Sequence, residues 1–223
     1  MNAFFASVEQ QSKPSLRDKP VAVIGAQQRT VITTSSYEAR AYGVKVGMTV
    51  PEAKKLCPDI IFVAGNNKKY TDTCTRLVRL YADYTPLVEV YSVDEAFLDI
   101  TGSLYLFGEP EDIAMRIKRK IRRGFGLTCS IGVGPNKLLA KLAGSMQKPD
   151  GFTIIHPGAV SEILERLPVS ELCGIGSRLE RHLEAMGVRT CGELGRFPVK
   201  ELENRFGIVG KRLHQMGLGV DES

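Results

Sequence analysis

Two adjacent carboxylates, Asp94 and Glu95, are the residues of this chain best suited to chemistry. They stand between two apolar runs: Val88 and Val90 alternate with polar residues at the spacing of a strand, and the apolar run resumes within residues 97–100. Like charges side by side in a sheet repel each other and lose solvation, and a divalent cation neutralises them. The sequence therefore predicts a metal site where one strand turns back into the next. A solvated turn without a metal is the alternative.

A second feature is the turn formed by Gly174, Ile175 and Gly176. Apolar residues flank this turn and arginines, among them Arg178, surround it, which is typical of a helix-hairpin-helix. The two glycines permit a tight turn that brings backbone N–H groups at a helix start against a phosphate. Such contacts hold a duplex without reading its sequence. We therefore expect nucleic-acid binding here, with a plain Gly-x-Gly turn as the alternative.

Three further residues, a tyrosine, an arginine and a lysine, are candidates for binding a triphosphate. Tyr37 and Arg40 are three residues apart and share one face if the segment is helical. A guanidinium donates to phosphate oxygens bidentately. Lys148, directly before Pro149, adds a third candidate, although a Lys-Pro pair alone carries little information. The alternative is a surface arginine beside a half-buried tyrosine.

The elements that must position these residues indicate an α+β fold. Strand and helix patterns alternate up to residue 155, and from residue 156 onward the chain consists of short helices broken by glycine, which marks a domain boundary. The order fits an antiparallel sheet backed by helices on one face, with the carboxylates on the other. Strands are predicted over residues 21–24, 31–34, 88–90, 97–100, 127–133 and 152–155, and helices over residues 51–56, 68–84, 111–123 and 136–146.

Composition excludes several classes of protein. The 223 residues are 43% hydrophobic and 25% charged, as in ordinary globular proteins. No apolar stretch approaches the roughly 20 residues of a membrane span, and no leader is apparent, so we expect a cytoplasmic protein without a membrane partner. Five cysteines and three scattered histidines form no zinc or nucleophile pattern. The net charge of +5 is unevenly distributed, and one cluster of basic residues lies within 116–123. We interpret this cluster as the solvated face of a helix, with a nucleic-acid contact as the alternative.

Six motifs occur along the chain: NAFFASVE (2–9), YEAR (37–40), SVDEAFLD (92–99), GVGPNKLLAK (132–141), KPDG (148–151) and GIG (174–176). In this order they resemble the motifs of the Y-family translesion DNA polymerases, in particular of their DNA polymerase IV branch. The resemblance covers essentially the whole chain, and the Ser-Val-Asp-Glu-Ala block is its most specific element. It implies a palm of residues 1–11 and 67–155, small α/β fingers of 12–66, and an all-helical thumb of 156–223 with the helix-hairpin-helix; the little finger is absent from these residues.

The resemblance also implies how the site residues divide the chemistry. Asp94 would bridge two Mg²⁺ ions, Glu95 would bind the ion near the primer 3′-hydroxyl, and the Met1 carbonyl would be a further metal ligand. The incoming dNTP would meet four residues: Phe5, which would exclude a ribose 2′-hydroxyl, and Tyr37, Arg40 and Lys148, which would bind the triphosphate.

The implied activity is DNA-directed DNA synthesis of low fidelity across lesions, in DNA repair, with a mutator effect. Its partners would be primer-template DNA, dNTP and a sliding clamp, the last through a region outside these residues. In this family a metal-bridging Asp lies directly before the position of Met1, and a little finger follows the thumb. Neither is within the 223 residues, so we expect them alone to be weak or inactive. A non-catalytic DNA-binding or regulatory relic is the alternative. A nucleotide cyclase is a second alternative, but it would need no thumb, so the helical region at 156–223 argues against it.

Overall fold

The structure, a computed structural model, describes residues 1–25 and 31–222. Residues 26–30, in the predicted fingers, and Ser223, in the predicted thumb, lie outside the described residues. The chain divides into two units, Met1–Cys129 and Ser130–Ser223. The first unit contains α1 (Phe4–Ser12), β1 (Val21–Ile24), β2 (Ile32–Ser35), α2 (Tyr37–Ala41), α3 (Val50–Leu56), β3 (Ile61–Ala64), α4 (Asn67–Ala82), β4 (Val88–Val90), β5 (Ala96–Leu98), α5 (Leu104–Phe107) and α6 (Pro110–Phe125).

A small mixed sheet forms the part of the first unit predicted as α/β fingers. Its strand order is β2-β1-β3, with β1 antiparallel to β2 and parallel to β3. Helix α3 starts at a capping box in which Thr49 and Glu52 satisfy each other's backbone N–H groups, with Pro51 in its first turn as the sequence predicts. An apolar core packs between the sheet and its helices: Ala22, Ile32, Ala39, Val44, Ala53, Cys57 and Ile60.

The predicted carboxylate hairpin is confirmed. Strands β4 and β5 pair antiparallel, with Val88 opposite Leu98 and Val90 opposite Ala96. Residues 91–95, which include both carboxylates, form the connection between the strands. Helix α6 is amphipathic and buries three isoleucines at the predicted spacing, Ile113, Ile117 and Ile121. Most of its basic residues are exposed to solvent, as predicted for a solvated helix face.

The second unit begins with a strand-helix-strand motif and continues as helices. Strands β6 and β7 pair in parallel, whereas the sequence predicts an antiparallel sheet. The reason is helix α7, which connects them as a crossover and returns the chain to start the second strand in the same direction. The elements are β6 (Ile131–Val133), α7 (Lys137–Met146), β7 (Phe152–Ile154), α8 (Val160–Arg166), α9 (Ser177–Ala185), α10 (Cys191–Arg196), α11 (Val199–Phe206) and α12 (Ile208–Gly217).

Glycines let strand β6 touch helix α7. A Cβ added to Gly132 would lie 2.1 Å from the carbonyl oxygen of Ala140 and 2.1 Å from the nitrogen of Gly144. A Cβ added to Gly134 would lie 2.7 Å from the Ala140 nitrogen. These glycines therefore serve close packing of strand and helix, as in a strand-to-helix turn.

Past residue 156 the described chain is helical, as predicted. Its core consists mainly of leucines that are fully or almost fully buried, such as Leu164, Leu183, Leu194 and Leu202. Among the helices that the structure describes, none is long and apolar enough to span a membrane.

Candidate active site

The hairpin turn holds its two carboxylates in a defined backbone geometry. The N–H groups of Tyr91 and Ser92 both donate to the Glu95 carbonyl oxygen, at 3.0 and 3.1 Å. The Ser92 hydroxyl donates to Asp94 Oδ1 at 2.9 Å and so orients that carboxylate. Both carboxylate residues are half-buried, which leaves them accessible to an ion or a substrate. The sequence analysis did not identify the role of Ser92, although its position two residues before Asp94 is typical of such local hydrogen bonds.

The N-terminal segment lies beside this turn. The Met1 nitrogen donates to the backbone carbonyl of Asp94 at 2.6 Å, and the Tyr81 hydroxyl lies 3.8 Å from the Met1 sulfur. Asn2, 3% exposed, fixes the segment because its backbone N–H and its side-chain amide donate to the carbonyl and hydroxyl oxygens of Thr128, at 3.1 and 3.2 Å. The structure therefore places Met1 in contact with the turn that carries Asp94 and Glu95, through the Met1 nitrogen, whereas the predicted metal ligand is the Met1 carbonyl oxygen.

The charge of Asp94 acts on its neighbours. Burial, followed by the negative charge of Asp94, raises the pKa of the Cys74 thiol. Burial raises the pKa of the Tyr81 phenol as well, with smaller contributions from Cys129, Cys74 and Asp94. Both groups therefore stay protonated and neutral well above neutral pH.

The donor atoms fit Mg²⁺ bound together with a substrate. Within residues 1–25 and 31–222, no group of three or more His, Cys, Asp or Glu side chains is placed so that it could hold a metal ion. Mg²⁺, however, is commonly held by one or two carboxylates plus substrate phosphates rather than by an all-protein cage. Two half-buried carboxylates at one turn supply that kind of partial ligand set.

Phe5 lies on helix α1, and its half-buried ring stacks on Tyr70 of helix α4. The ring centroids are 4.1 Å apart and the planes differ by 14°. Tyr70 donates its hydroxyl to Glu9 Oε1 at 2.8 Å, and Lys69 Nζ lies 2.6 Å from Glu9 Oε2. Sequence reasoning missed the contributions of Glu9, Lys69 and Tyr70. The signal available was the four-residue spacing that puts Phe5 and Glu9 on one helix face.

The predicted face shared by Tyr37 and Arg40 is confirmed. The side chain of Ser36 caps helix α2 by accepting from the Ala39 N–H at 3.3 Å. The guanidinium carbon of Arg40 lies 4.7 Å from the centre of the Tyr37 ring, and its Nε donates to the Ser35 carbonyl at 3.1 Å. Arg40 is exposed, so its terminal nitrogens can reach a ligand. Lys148, also exposed, belongs to the second unit, so the assembled part of the predicted triphosphate site is the Tyr37–Arg40 pair.

The glycine turn of the second unit leads into helix α9. Gly174 has a φ of +97°, a conformation that favours glycine, and Gly176 is the N-cap of α9. Ile175, 5% exposed, anchors the turn in the core. The element before the turn is a single 3₁₀ turn (Val169–Glu171) rather than a full α-helix, with Pro168 at its N-cap and an extended Leu172 at its C-cap. A cavity of about 440 Å³ opens at the start of α9, lined by Gly176, Ser177, Arg178, Leu179, His182 and Phe206.

Two protein families match this chain. The profile of the impB/mucB/samB family matches residues 1–145. The chain belongs to this family. The profile of the "DNA polymerase-iota, thumb domain" matches residues 170–221, which contain the glycine turn and helix α9.

Curated relatives include the DNA polymerase IV of Moorella thermoacetica, 48% identical over the whole chain, and that of Yersinia pseudotuberculosis, 40% identical over the whole chain. The chain spans 56% of the length of the first relative and 63% of the second. The predicted resemblance to Y-family polymerases of the DNA polymerase IV branch is confirmed.

Solved structures of Y-family DNA polymerases have the same fold as this chain. A Y-family DNA polymerase chimera of Dbh and Dpo4 has a TM-score of 0.92 at 31% identity, and an insertion ternary complex of Dbh DNA polymerase has 0.91 at 32% identity. Each comparison covers 100% of this chain and 66% of the other. The predicted α+β fold with a helical thumb is confirmed.

Proposed function

We propose that this chain is the catalytic core of a DNA-directed DNA polymerase, which transfers nucleotides from dNTPs to a primer 3′-hydroxyl. The observation that carries the proposal is the half-buried Asp94–Glu95 turn with Met1 beside it, in a chain of this family. The ternary complex of Dbh DNA polymerase among the structural neighbours supports primer-template DNA and dNTP as ligands.

In this proposal Asp94, Glu95 and the Met1 carbonyl would hold two Mg²⁺ ions. Bound there, the metal would lower the pKa of the primer 3′-hydroxyl and neutralise charge on the transferred phosphate and the leaving pyrophosphate. The protein's own contribution is positioning: Ser92 fixes the Asp94 carboxylate through the 2.9 Å hydrogen bond. Half-burial of both carboxylates strengthens their attraction for cations relative to fully exposed groups.

The remaining site residues would bind the nucleotide. Arg40 would donate to triphosphate oxygens from the exposed face of α2, with Tyr37 beneath its guanidinium, and Lys148 would add a cation. The Phe5 ring would close against the sugar and exclude a 2′-hydroxyl.

The glycine turn would hold the duplex. Backbone N–H groups at the start of α9, presented by Gly174, Ile175 and Gly176, would contact a phosphate, and Arg178 at the neighbouring cavity would add charge. A sliding clamp would bind through a region outside these residues.

Low fidelity follows from the proposed division into palm, fingers and thumb. Fingers confined to 12–66 would cover the nascent base pair loosely, so a mispair would be rejected weakly by shape. We therefore extend the proposal to translesion synthesis, with the cytoplasmic location expected from the sequence.

Primer extension with Mg²⁺ and dNTPs tests the proposal. The 223-residue polypeptide is compared with a protein extended at both ends, which adds an upstream strand ending in Asp and a little finger. We expect extension by the longer protein and little by the shorter, because the shorter has fewer metal ligands and a weaker grip on DNA. If the longer protein binds primer-template DNA but does not extend it, the non-catalytic DNA-binding alternative holds.

A further inference from the structure

A buried carboxylate joins helices α1 and α4 in the first unit. The Glu9 side chain is only 6% exposed, and both of its oxygens have a donor from α4: Lys69 Nζ at 2.6 Å and the Tyr70 hydroxyl at 2.8 Å. A buried carboxylate without such partners would be costly, so its pairing with two adjacent α4 residues fixes where those side chains point.

The Tyr70 ring in turn covers one face of Phe5. Tyr70 is 2% exposed and lies nearly parallel to Phe5, with 4.1 Å between ring centroids, and a second ring, that of Phe4, packs at a tilt 6.4 Å away. Phe5 and Glu9 are one turn apart on α1. The Tyr70 side chain therefore spans that turn, with its ring against Phe5 and its hydroxyl on Glu9.

We infer that Glu9 is a positioning residue for the Phe5 ring, acting through the Tyr70 hydroxyl, and that it thereby sets how strongly the site rejects ribonucleotides. The inference rests on the proposed function, in which Phe5 closes against the sugar. A hydrogen bond to a carboxylate is stronger and more directional than one between neutral groups, so it restricts the tilt of the tyrosine ring. Since the rings stack, a tilt of Tyr70 would move Phe5.

The electrostatics agree with this role. Burial, with the hydrogen bond to Glu9 and its charge, raises the pKa of the Tyr70 phenol, so the hydroxyl stays a donor throughout the working pH range of an enzyme. Lys69, 32% exposed, balances the Glu9 charge and also donates to the Ser12 hydroxyl at 2.9 Å, without touching the tyrosine. The Lys69 and Tyr70 contacts can therefore be removed separately.

The test measures kcat/KM for a dNTP and for the matching rNTP in the full-length protein, and takes their ratio. A ratio is used because it cancels any loss of folded enzyme. We expect Glu9→Ala and Tyr70→Phe each to lower the ratio roughly three- to tenfold, as a small displacement of a positioned group does. The double variant should match the single ones, because all three remove the same hydrogen bond. Glu9→Gln should restore most of the ratio, since its amide oxygen still accepts from Tyr70.

Ser12→Ala is the matched control, because it removes a Lys69 contact on the same helix and leaves the ratio unchanged. A Glu9→Ala variant that loses activity equally toward dNTP and rNTP would overturn the inference and leave Glu9 a purely structural link between helices.

A second readout needs no polymerase activity. Fluorine on the Phe5 ring, introduced site-specifically as 4-fluorophenylalanine, reports the packing of that ring by ¹⁹F NMR. We expect one sharp resonance in the wild type and a shifted or broadened one in Glu9→Ala and Tyr70→Phe, but not in Ser12→Ala. An unchanged resonance in Glu9→Ala refutes the positioning role. An inactive wild type with a resonance that responds to Glu9 would instead count against the proposed function alone.

Discussion

Replacement of the two glycines of the α9 turn by alanine should separate folding from DNA binding. Gly174 has a φ of +97°, whereas Gly176 has a φ of −84° and a ψ of 171°, which any residue adopts. Apart from its chain neighbours, no atom of the described residues would lie within 4 Å of a Cβ at either position. Steric clash within the protein therefore contributes to neither substitution, and backbone conformation decides the difference between them.

The magnitudes follow from that geometry. At Gly174 an alanine must adopt a left-handed backbone conformation, which destabilises the folded state by about 1–2 kcal/mol. The lower entropy of the unfolded chain offsets about 0.4–1 kcal/mol of this cost. We expect Gly174→Ala to lower the free energy of unfolding by about 0.5–1.5 kcal/mol. At Gly176 the same entropic gain offsets the poorer N-cap of alanine, so the net change should be within about 0.5 kcal/mol.

DNA binding should show the opposite order. At Gly176 the added methyl group points into the open space where we propose that a phosphate approaches the α9 N–H groups, so Gly176→Ala should weaken primer-template binding roughly fivefold. Urea denaturation measures the first effect, and fluorescence anisotropy with labelled DNA at one fixed salt concentration measures the second. Equal stability of Gly174→Ala and wild type, or unchanged affinity of Gly176→Ala, would refute the corresponding step of the reasoning.

Three further outcomes are expected. Arg178→Ala should reduce the slope of log K against log salt for DNA binding by about 1, since one phosphate contact is lost, and an unchanged slope would exclude that contact. Leu183→Ala, at a fully buried position, should lower the free energy of unfolding by about 2–5 kcal/mol, whereas Ile208→Ala, 88% exposed, should change it by less than about 0.5 kcal/mol; both are measured by urea denaturation. Burial raises the pKa of the Cys191 thiol from 9.0 to about 12. The protonated thiol therefore contributes to the stability of the folded state below pH 9, and this contribution is lost as the pH rises toward 12. A Cys191→Ala variant should therefore lose less stability than wild type between pH 8 and roughly 10.5, and the exposed Cys173 should react with a thiol reagent well before Cys191 does.

Local patterns predicted much of the fold because their causes lie within a few residues. The isoleucines of α6 recur every four residues, so one face of the helix had to be buried. The alternation around Val88 and Val90 required a strand, and the polar residues after it required a turn. For the same reason the side chains of Tyr37 and Arg40 could be placed together before the structure was known.

Contacts between distant residues could not be predicted in this way. Glu9 and Tyr70 are 61 positions apart, and only the packing of α1 on α4 brings them together. The parallel pairing of β6 with β7 depends on the path of α7 across the sheet, which the strand sequences do not encode. The motif order placed Met1 near Asp94 only through the family resemblance, since 93 positions separate them.

The most direct test of the central claim is the single-turnover rate of nucleotide incorporation by the full-length protein as a function of Mg²⁺ concentration. We expect Glu95→Gln to lower the rate at saturating Mg²⁺ by roughly 100- to 1000-fold, because metal stabilisation of the transition state contributes several kcal/mol. Glu89→Gln, on the first strand of the same hairpin, should leave it unchanged. A Glu95→Gln variant with the rate and Mg²⁺ dependence of the wild type would contradict the assignment of this turn as the metal-binding centre.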